Sequence, residues 1–239
     1  MTFRKQPHNN VPSPRTEDTR GLISMKSQDI FILLKLASLQ QQERELLEHL
    51  APSRLYIHGW EGWDLEENDI DGRKNAEKII PIAQASRYTA RGLAEELGVG
   101  KTEVNKSINR SLSVGLIRRD RKTGHPKANL KALTEFIIYG LKYVFPAKPA
   151  EIVRGIPTAF AAPILQGQLM TAGEMIFVWP DARGKSKGQS ITPLFKSVPL
   201  AVKQDPRLYE YLALVDAIRL GRSREAHIAE QRLKERLQP

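Results

Sequence analysis

Apolar positions change period several times along the chain, and each change marks an element. From Ser27, a residue suited to capping, Ile30, Leu33, Leu34, Ala37, Leu46, Leu47 and Leu50 recur at helical spacing. That predicts one long helix, ended by Pro52. Residues 1–24 show no period and read as a flexible leader. Residues 51–85 are acidic and irregular (Gly59-Trp60-Glu61-Gly62-Trp63, then Asp69-Ile70-Asp71-Gly72), as in an insertion or long loop that Trp60 and Trp63 could anchor.

The clearest pattern runs from Tyr88 to Lys131. Thr89 is placed to cap a short helix whose Leu93, Ala94 and Leu97 form one apolar face, and Gly98 can take the left-handed backbone that a tight turn requires. A second helix then opens at Gly100-Lys101-Thr102-Glu103, with Glu103 set to reach back over the first turn. Val104, Ile108 and Leu112 point inward beside the small Ser107 and Ser111. Lys101, Thr102, Glu103, Asn105, Lys106, Asn109 and Arg110 are left outward. Leu116 to Leu130 reads as strand, turn and strand.

Further on, Leu133, Phe136, Ile137 and Leu141 predict a helix over 131–143. Pro146, Pro149, Pro157 and Pro163 then predict turns and loops over 144–172. Met175–Trp179 and Ser190–Leu194 are strand-like, flanking a loop over Pro180–Gln189. Asp205 and Pro206 open a helix that Gly221 stops, and Ser223 opens a last one through Leu237. The expected class is mainly α with a small β component: a winged helix-turn-helix domain plus a mixed α/β C-terminal domain ending in two helices. The expected divisions are a leader (1–24), a DNA-binding domain (25–131) carrying the 51–85 insertion, and a dimerisation or partner-binding domain (132–239).

Charge sharpens this picture. The chain of 239 residues has a net charge of +10 and no cysteine, which favours polyanionic partners and removes disulfides and thiolate chemistry. Residues 86–131 hold eleven Lys or Arg against four Asp or Glu, whereas 43–78 hold five against ten. The basic surplus therefore falls on the two-helix segment. Apolar runs are too short to span a bilayer, so a cytoplasmic protein without a membrane partner is expected.

Amides, hydroxyls and cations on one helix face suit base edges and phosphates: Asn pairs with adenine, and Arg or Lys with guanine or phosphate. Asn105, Lys106, Asn109 and Arg110 are the expected base and near-phosphate contacts, with Lys101 and Thr102 on phosphate at the helix start. The hairpin Arg118-Arg119-Asp120-Arg121-Lys122-Thr123-Gly124-His125-Pro126-Lys127 has the composition of a wing. Arg118, Arg119, Arg121, Lys122 and Lys127 are its expected phosphate contacts.

Residues 88–119, with Leu93-Ala94, Leu97-Gly98-Val99 and Gly115-Leu116-Ile117, resemble the helix-turn-helix and first wing strand of MarR-like winged-helix regulators. The resemblance covers under a fifth of the chain and implies a DNA-binding regulator, expected as a dimeric repressor on double-stranded DNA. The segment from Phe136 through Leu237 is similar to small bacterial regulators encoded beside nucleotidyltransferase-type toxins. The stretches concerned are Tyr143–Pro146, Val153–Pro157 and Leu214–Arg219. This second resemblance implies an antitoxin that neutralises a partner protein and autoregulates its operon.

Catalytic signals are weak. Gly98-Val99-Gly100-Lys101-Thr102 has the end of a phosphate-binding loop, but Glu95 stands where its first Gly belongs. The five histidines are scattered. His58 with Asp64, Glu66, Asp69 and Asp71 could bind a metal but has the composition of a solvated loop. No catalytic residue, metal or cofactor is expected. Asp181–Gln189 is either a second phosphate contact or a plain hairpin tip, and Arg154, among apolar residues, is expected to be paired and structural.

Overall fold

The computed structural model describes residues 24–50, 85–166, 176–221 and 223–238. The expected leader, the body of the acidic insertion with Trp60 and Trp63, and the His58 carboxylate group lie outside the described residues. Among the described residues the chain is mainly helical with a small share of strand.

Helix α1 (Ser27–Leu50) is the axis of the core. Spacing predicts one apolar face, yet Ile30 to Leu34, Leu36, Ala37 and Leu39 are all at most 2% exposed. A helix buried on every side is a central one. Around it lie α2 (Ala90–Leu97), α3 (Lys101–Ser113), the strands β1 (Ile117–Arg119) and β2 (Pro126–Ala128), and, farther along the chain, α7 (Pro206–Leu220). Ser107 and Ser111 are fully buried and let α3 come close to α1. Strands β1 and β2 pair antiparallel, with Ile117 opposite Ala128. Next come α4 (Leu130–Tyr139) and the short α5 (Leu141–Val144), close to the helix expected there.

The expectation of turns over 144–172 is overturned by β3 (Pro149–Thr158). Its two prolines sit first and second-to-last, where a missing N–H disturbs the ladder least. Strand β3 runs antiparallel to both β4 (Phe177–Pro180) and β5 (Ser186–Ile191), which pair parallel to each other and close a three-stranded barrel. Strand β5 begins four residues before the expected strand, because its outward positions carry Lys187 and Gln189 and mask its alternation. Closure depends on glycine: a Cβ on Gly155 would stand 2.1 Å from the Trp179 carbonyl oxygen, and one on Gly184 2.2 Å from that of Gly155.

Short helix α6 (Val198–Ala201) leads to α7, which opens as the sequence predicts: the Asp205 carboxylate accepts from the Leu208 N–H at 3.0 Å, with Pro206 first in the helix. Helix α8 (Ser223–Arg236) packs on α7 and buries Ala229 and Leu233. One hydrophobic cluster runs through α1, α2, α3, the β1–β2 hairpin, α4, the barrel, α7 and α8. The division expected at 131/132 therefore lies inside a shared core.

Two buried charge networks fix this arrangement. The Lys35 side chain, 2% exposed in the middle of α1, pairs with Glu96 of α2 at 2.5 Å and with Asp205 at 2.7 Å. Arg87 grips the same Glu96 at 2.6 and 2.9 Å, and Ser38 donates to Asp205. Burial pushes the carboxyls of Glu96 and Asp205 up, but the cations and hydrogen bonds outweigh it and hold both below their ordinary values. On α7, the fully buried Asp216 accepts from Trp179 Nε1 at 2.6 Å, Thr158 Oγ1 at 3.2 Å and Arg219 at 2.6 Å. Burial dominates there, so this carboxyl is raised. Arg219 also donates to the Phe145 carbonyl at 2.8 Å. The Leu214–Arg219 stretch thereby ties α7 to the barrel and to the end of α5.

Candidate nucleic-acid interface

Local rules build the two helices α2 and α3 and the turn between them. Thr89 Oγ1 accepts from the Gly92 N–H at 3.0 Å, and Leu93 and Leu97 are fully buried. Gly98 has φ 62° and ψ 38°, a left-handed residue that ends α2 and aims the chain into α3. Gly100 caps α3, and its N–H makes no hydrogen bond to Glu103 among the described residues, so the reach-back expected of Glu103 is not formed. Glu103 instead meets Lys106 at 3.3 Å and Lys26 at 3.9 Å, in exposed surroundings.

Lys101, Thr102, Asn105, Lys106 and Asn109 are all exposed on one side of α3. At 1.5 Å per residue the stripe from Lys101 to Asn109 is about 12 Å long, matching the width of a B-DNA major groove. No hydrogen bond within the described residues occupies the amides of Asn105 and Asn109. Glu103 is the only acid in the helix sequence.

Arg110 departs from the expected set. Its guanidinium is turned onto Asp29, Nε at 2.9 Å and a terminal nitrogen at 2.6 Å. Asp29 is fully buried and also accepts from the Lys26 N–H at 2.8 Å. The hydrogen bonds to Asp29 raise the Arg110 pKa despite partial burial. Arg110 thus braces α3 on the first turn of α1, and base contact is not its role in this geometry.

The β1–β2 hairpin is held in the same way. Asp120 accepts from the N–H groups of Lys122 and Thr123 and from Thr123 Oγ1 at 2.8–3.0 Å. Those bonds lower its carboxyl to about 2. Gly124 turns the chain at φ 70°. Gln40 of α1 acts as a strand for the outer edge of β2, accepting from the Ala128 N–H at 2.7 Å and donating to its carbonyl at 3.3 Å. Glu43, one helical turn on, receives Tyr88 Oη and Lys127 Nζ at 3.1 Å each. Lys127, also 3.6 Å from Asp120, is thereby a fastener of the hairpin. Arg119 folds over the turn onto the Gly124 carbonyl at 3.2 Å, while Arg118, Arg121 and Lys122 stay exposed without a carboxylate among the described residues. His125 stacks on Tyr88, centroids 5.6 Å apart.

Of the eleven expected contacts, nine remain on open surface and two, Arg110 and Lys127, are bound to carboxylates of α1. Sequence reading misses these bracing partners. Asp29 stands beside a cap-like Ser27, and Glu43 opens the acidic stretch of the sequence, although it lies on the predicted helix. Arg154 is exposed, and no ion pair holds it among the described residues. No group of three His, Asp or Glu side chains is arranged for a metal ion among the described residues. No helix is long and apolar enough to cross a membrane among the described residues. No protein-family model matches the chain, and no curated protein or solved structure was found to match it.

Proposed function

We propose that this protein is a sequence-specific regulator of double-stranded DNA, a winged helix-turn-helix repressor acting as a dimer in the cytoplasm. The observation that carries the reading is the pairing of two open surfaces. One is the exposed stripe of amides, hydroxyl and amines on α3, about 12 Å long, and the other is the exposed Arg118, Arg121 and Lys122 on the adjoining hairpin. In this reading α3 enters the major groove, where Asn105 and Asn109 meet base edges. Lys101, Thr102 and Lys106 contact flanking phosphates, the first two aided by the positive end of the helix. The hairpin is the wing and neutralises backbone. A two-fold dimer would set two such helices about 34 Å apart in successive grooves.

The bracing of α3 and the hairpin by Asp29, Gln40 and Glu43 supports the reading, because a readout surface must be rigid to discriminate. The test is binding to a duplex carrying the preferred site. Asn105→Ala should relax preference at one base pair by ~1–3 kcal/mol, with little change in affinity for unrelated DNA. An unchanged preference would refute the assignment of α3 as the reading element. Co-purification of a second protein at fixed ratio, with no DNA affinity, would favour the antitoxin alternative.

A further inference from the structure

We propose that the outer face of the three-stranded barrel is a second DNA-backbone surface, holding duplex that flanks the stretch read by α3. The inference rests on the winged-helix reading and extends its footprint. Arg154 of β3 stands directly opposite Lys187 of β5 in an antiparallel register, so both side chains leave the same face, and both are exposed. Like charges in that position destabilise a ladder. No carboxylate among the described residues offsets either one.

Two residues along the same face, Lys185 and Ile156 continue the surface to an open groove of about 360 Å³. Arg183, Lys185 and Tyr209 are among its lining residues. The loop's own acid, Asp181, is already taken, by Lys203 at 2.6 Å and by the Arg183 N–H at 2.8 Å. Four exposed cations, Arg154, Arg183, Lys185 and Lys187, make no side-chain hydrogen bond or ion pair among the described residues, although Arg183 lies close enough to Asp181 to help hold its carboxyl down. The tight approach of Gly184 to Gly155 keeps the backbone low between them.

Position decides for DNA bound by the same molecule. Ser197 Oγ donates to the Leu97 carbonyl at 2.5 Å, at the turn that launches α3. From Ser197 to Lys203, on the groove wall, the chain runs six residues through α6 and could span at most about 22 Å even if extended. That is less than one turn of duplex, about 34 Å. Lys196, exposed on the same connection, lies beside Ser197. The groove therefore lies within one duplex turn of the start of α3, near enough for one duplex to meet both.

The experiment compares full-length protein with a variant combining Arg154→Gln, Arg183→Gln, Lys185→Gln and Lys187→Gln. Unchanged circular dichroism and unfolding temperature check the fold. A short duplex ends at the edges of the selected site, and a longer one extends it by about 10 base pairs, roughly one helical turn, beyond each edge. Four phosphate contacts steepen the salt dependence by about 3–4 in the logarithmic slope, so raising salt from about 50 to about 200 mM should cost the longer duplex about 10²-fold more affinity. The variant should lose that difference and bind the short duplex like the parent. A parent without length dependence, or a variant that keeps it, would overturn the proposal, as would equal binding of single-stranded RNA. The two readings fail separately. If Asn105→Ala and Asn109→Ala leave the short duplex bound as before while the fourfold variant binds nothing, it is the role of α3 that is refuted, and with it the barrel's place as a flanking surface.

Discussion

Arg110 is the residue at which spacing and structure disagree, and its replacement separates the two. Spacing places it with Lys106 on the outward face of α3, whereas its guanidinium lies on Asp29 through two bonds of 2.9 and 2.6 Å. The Asp29 side chain is fully buried and that of Arg110 is 17% exposed. Removing one member of a buried ion pair costs about 3–5 kcal/mol, because the partner's charge is left in low dielectric. One edge of Arg110 meets solvent, so the lower end applies, about 3 kcal/mol. For a chain of 239 residues that lowers the unfolding temperature by roughly 6–12 °C. Arg110→Gln, Asp29→Asn and the double variant should be followed by thermal and urea unfolding. The double variant should recover part of the loss, because a neutral amide at position 29 no longer strands a charge, giving a coupling above about 1 kcal/mol. The bracing role is refuted if Arg110→Gln keeps full stability and loses only DNA affinity, or if the single effects simply add.

Other outcomes follow from the same geometry. Lys35→Met leaves buried Asp205 without a cation and Glu96 with Arg87 alone, and should destabilise by about 3 kcal/mol at neutral pH. Both carboxyls are held below their ordinary values, so their contribution is complete above pH ~4.5 and fades as pH falls through the folded values. The gap between parent and Lys35→Met should therefore narrow in acid, and a gap independent of pH would refute the network. Gly155→Ala forces a Cβ to within 2.1 Å of a carbonyl oxygen and should open the barrel, seen as a red-shifted, more quenchable Trp179 in a chain whose other two tryptophans are replaced by Phe. Arg121→Gln with Lys122→Gln should lower the logarithmic salt slope for any duplex by about 1.8 with no change in sequence preference. A changed preference would mean the hairpin reads bases.

Elements that rest on local chemistry could be read directly from the chain. The Thr89 cap, the left-handed Gly98 and the Asp205-Pro206 start each need only a few neighbouring residues, and all three form as their residue types dictate. What stayed hidden depends on contacts between distant residues. Arg110 and Asp29 are 81 positions apart, so nothing in the α3 spacing distinguishes a bound arginine from a free one. Strand β3 is obscured by prolines at its ends and by outward Glu151, Ile152 and Arg154, which break the alternation expected of a half-buried strand. Lys35 did carry a signal: a cation between Leu34 and Leu36, inside an apolar run, has to find a carboxylate if the run is buried on every side.

The most direct test of DNA reading by α3 is selection from a library of random duplexes at two salt concentrations, followed by sequencing of the retained molecules. The expected result is an enriched palindromic site whose half-sites lie one helical turn or a multiple of it apart, retained at the higher salt and lost with Asn105→Ala and Asn109→Ala together. Retention that vanishes at the higher salt with no enriched sequence would contradict it, leaving the basic surfaces as backbone contacts alone.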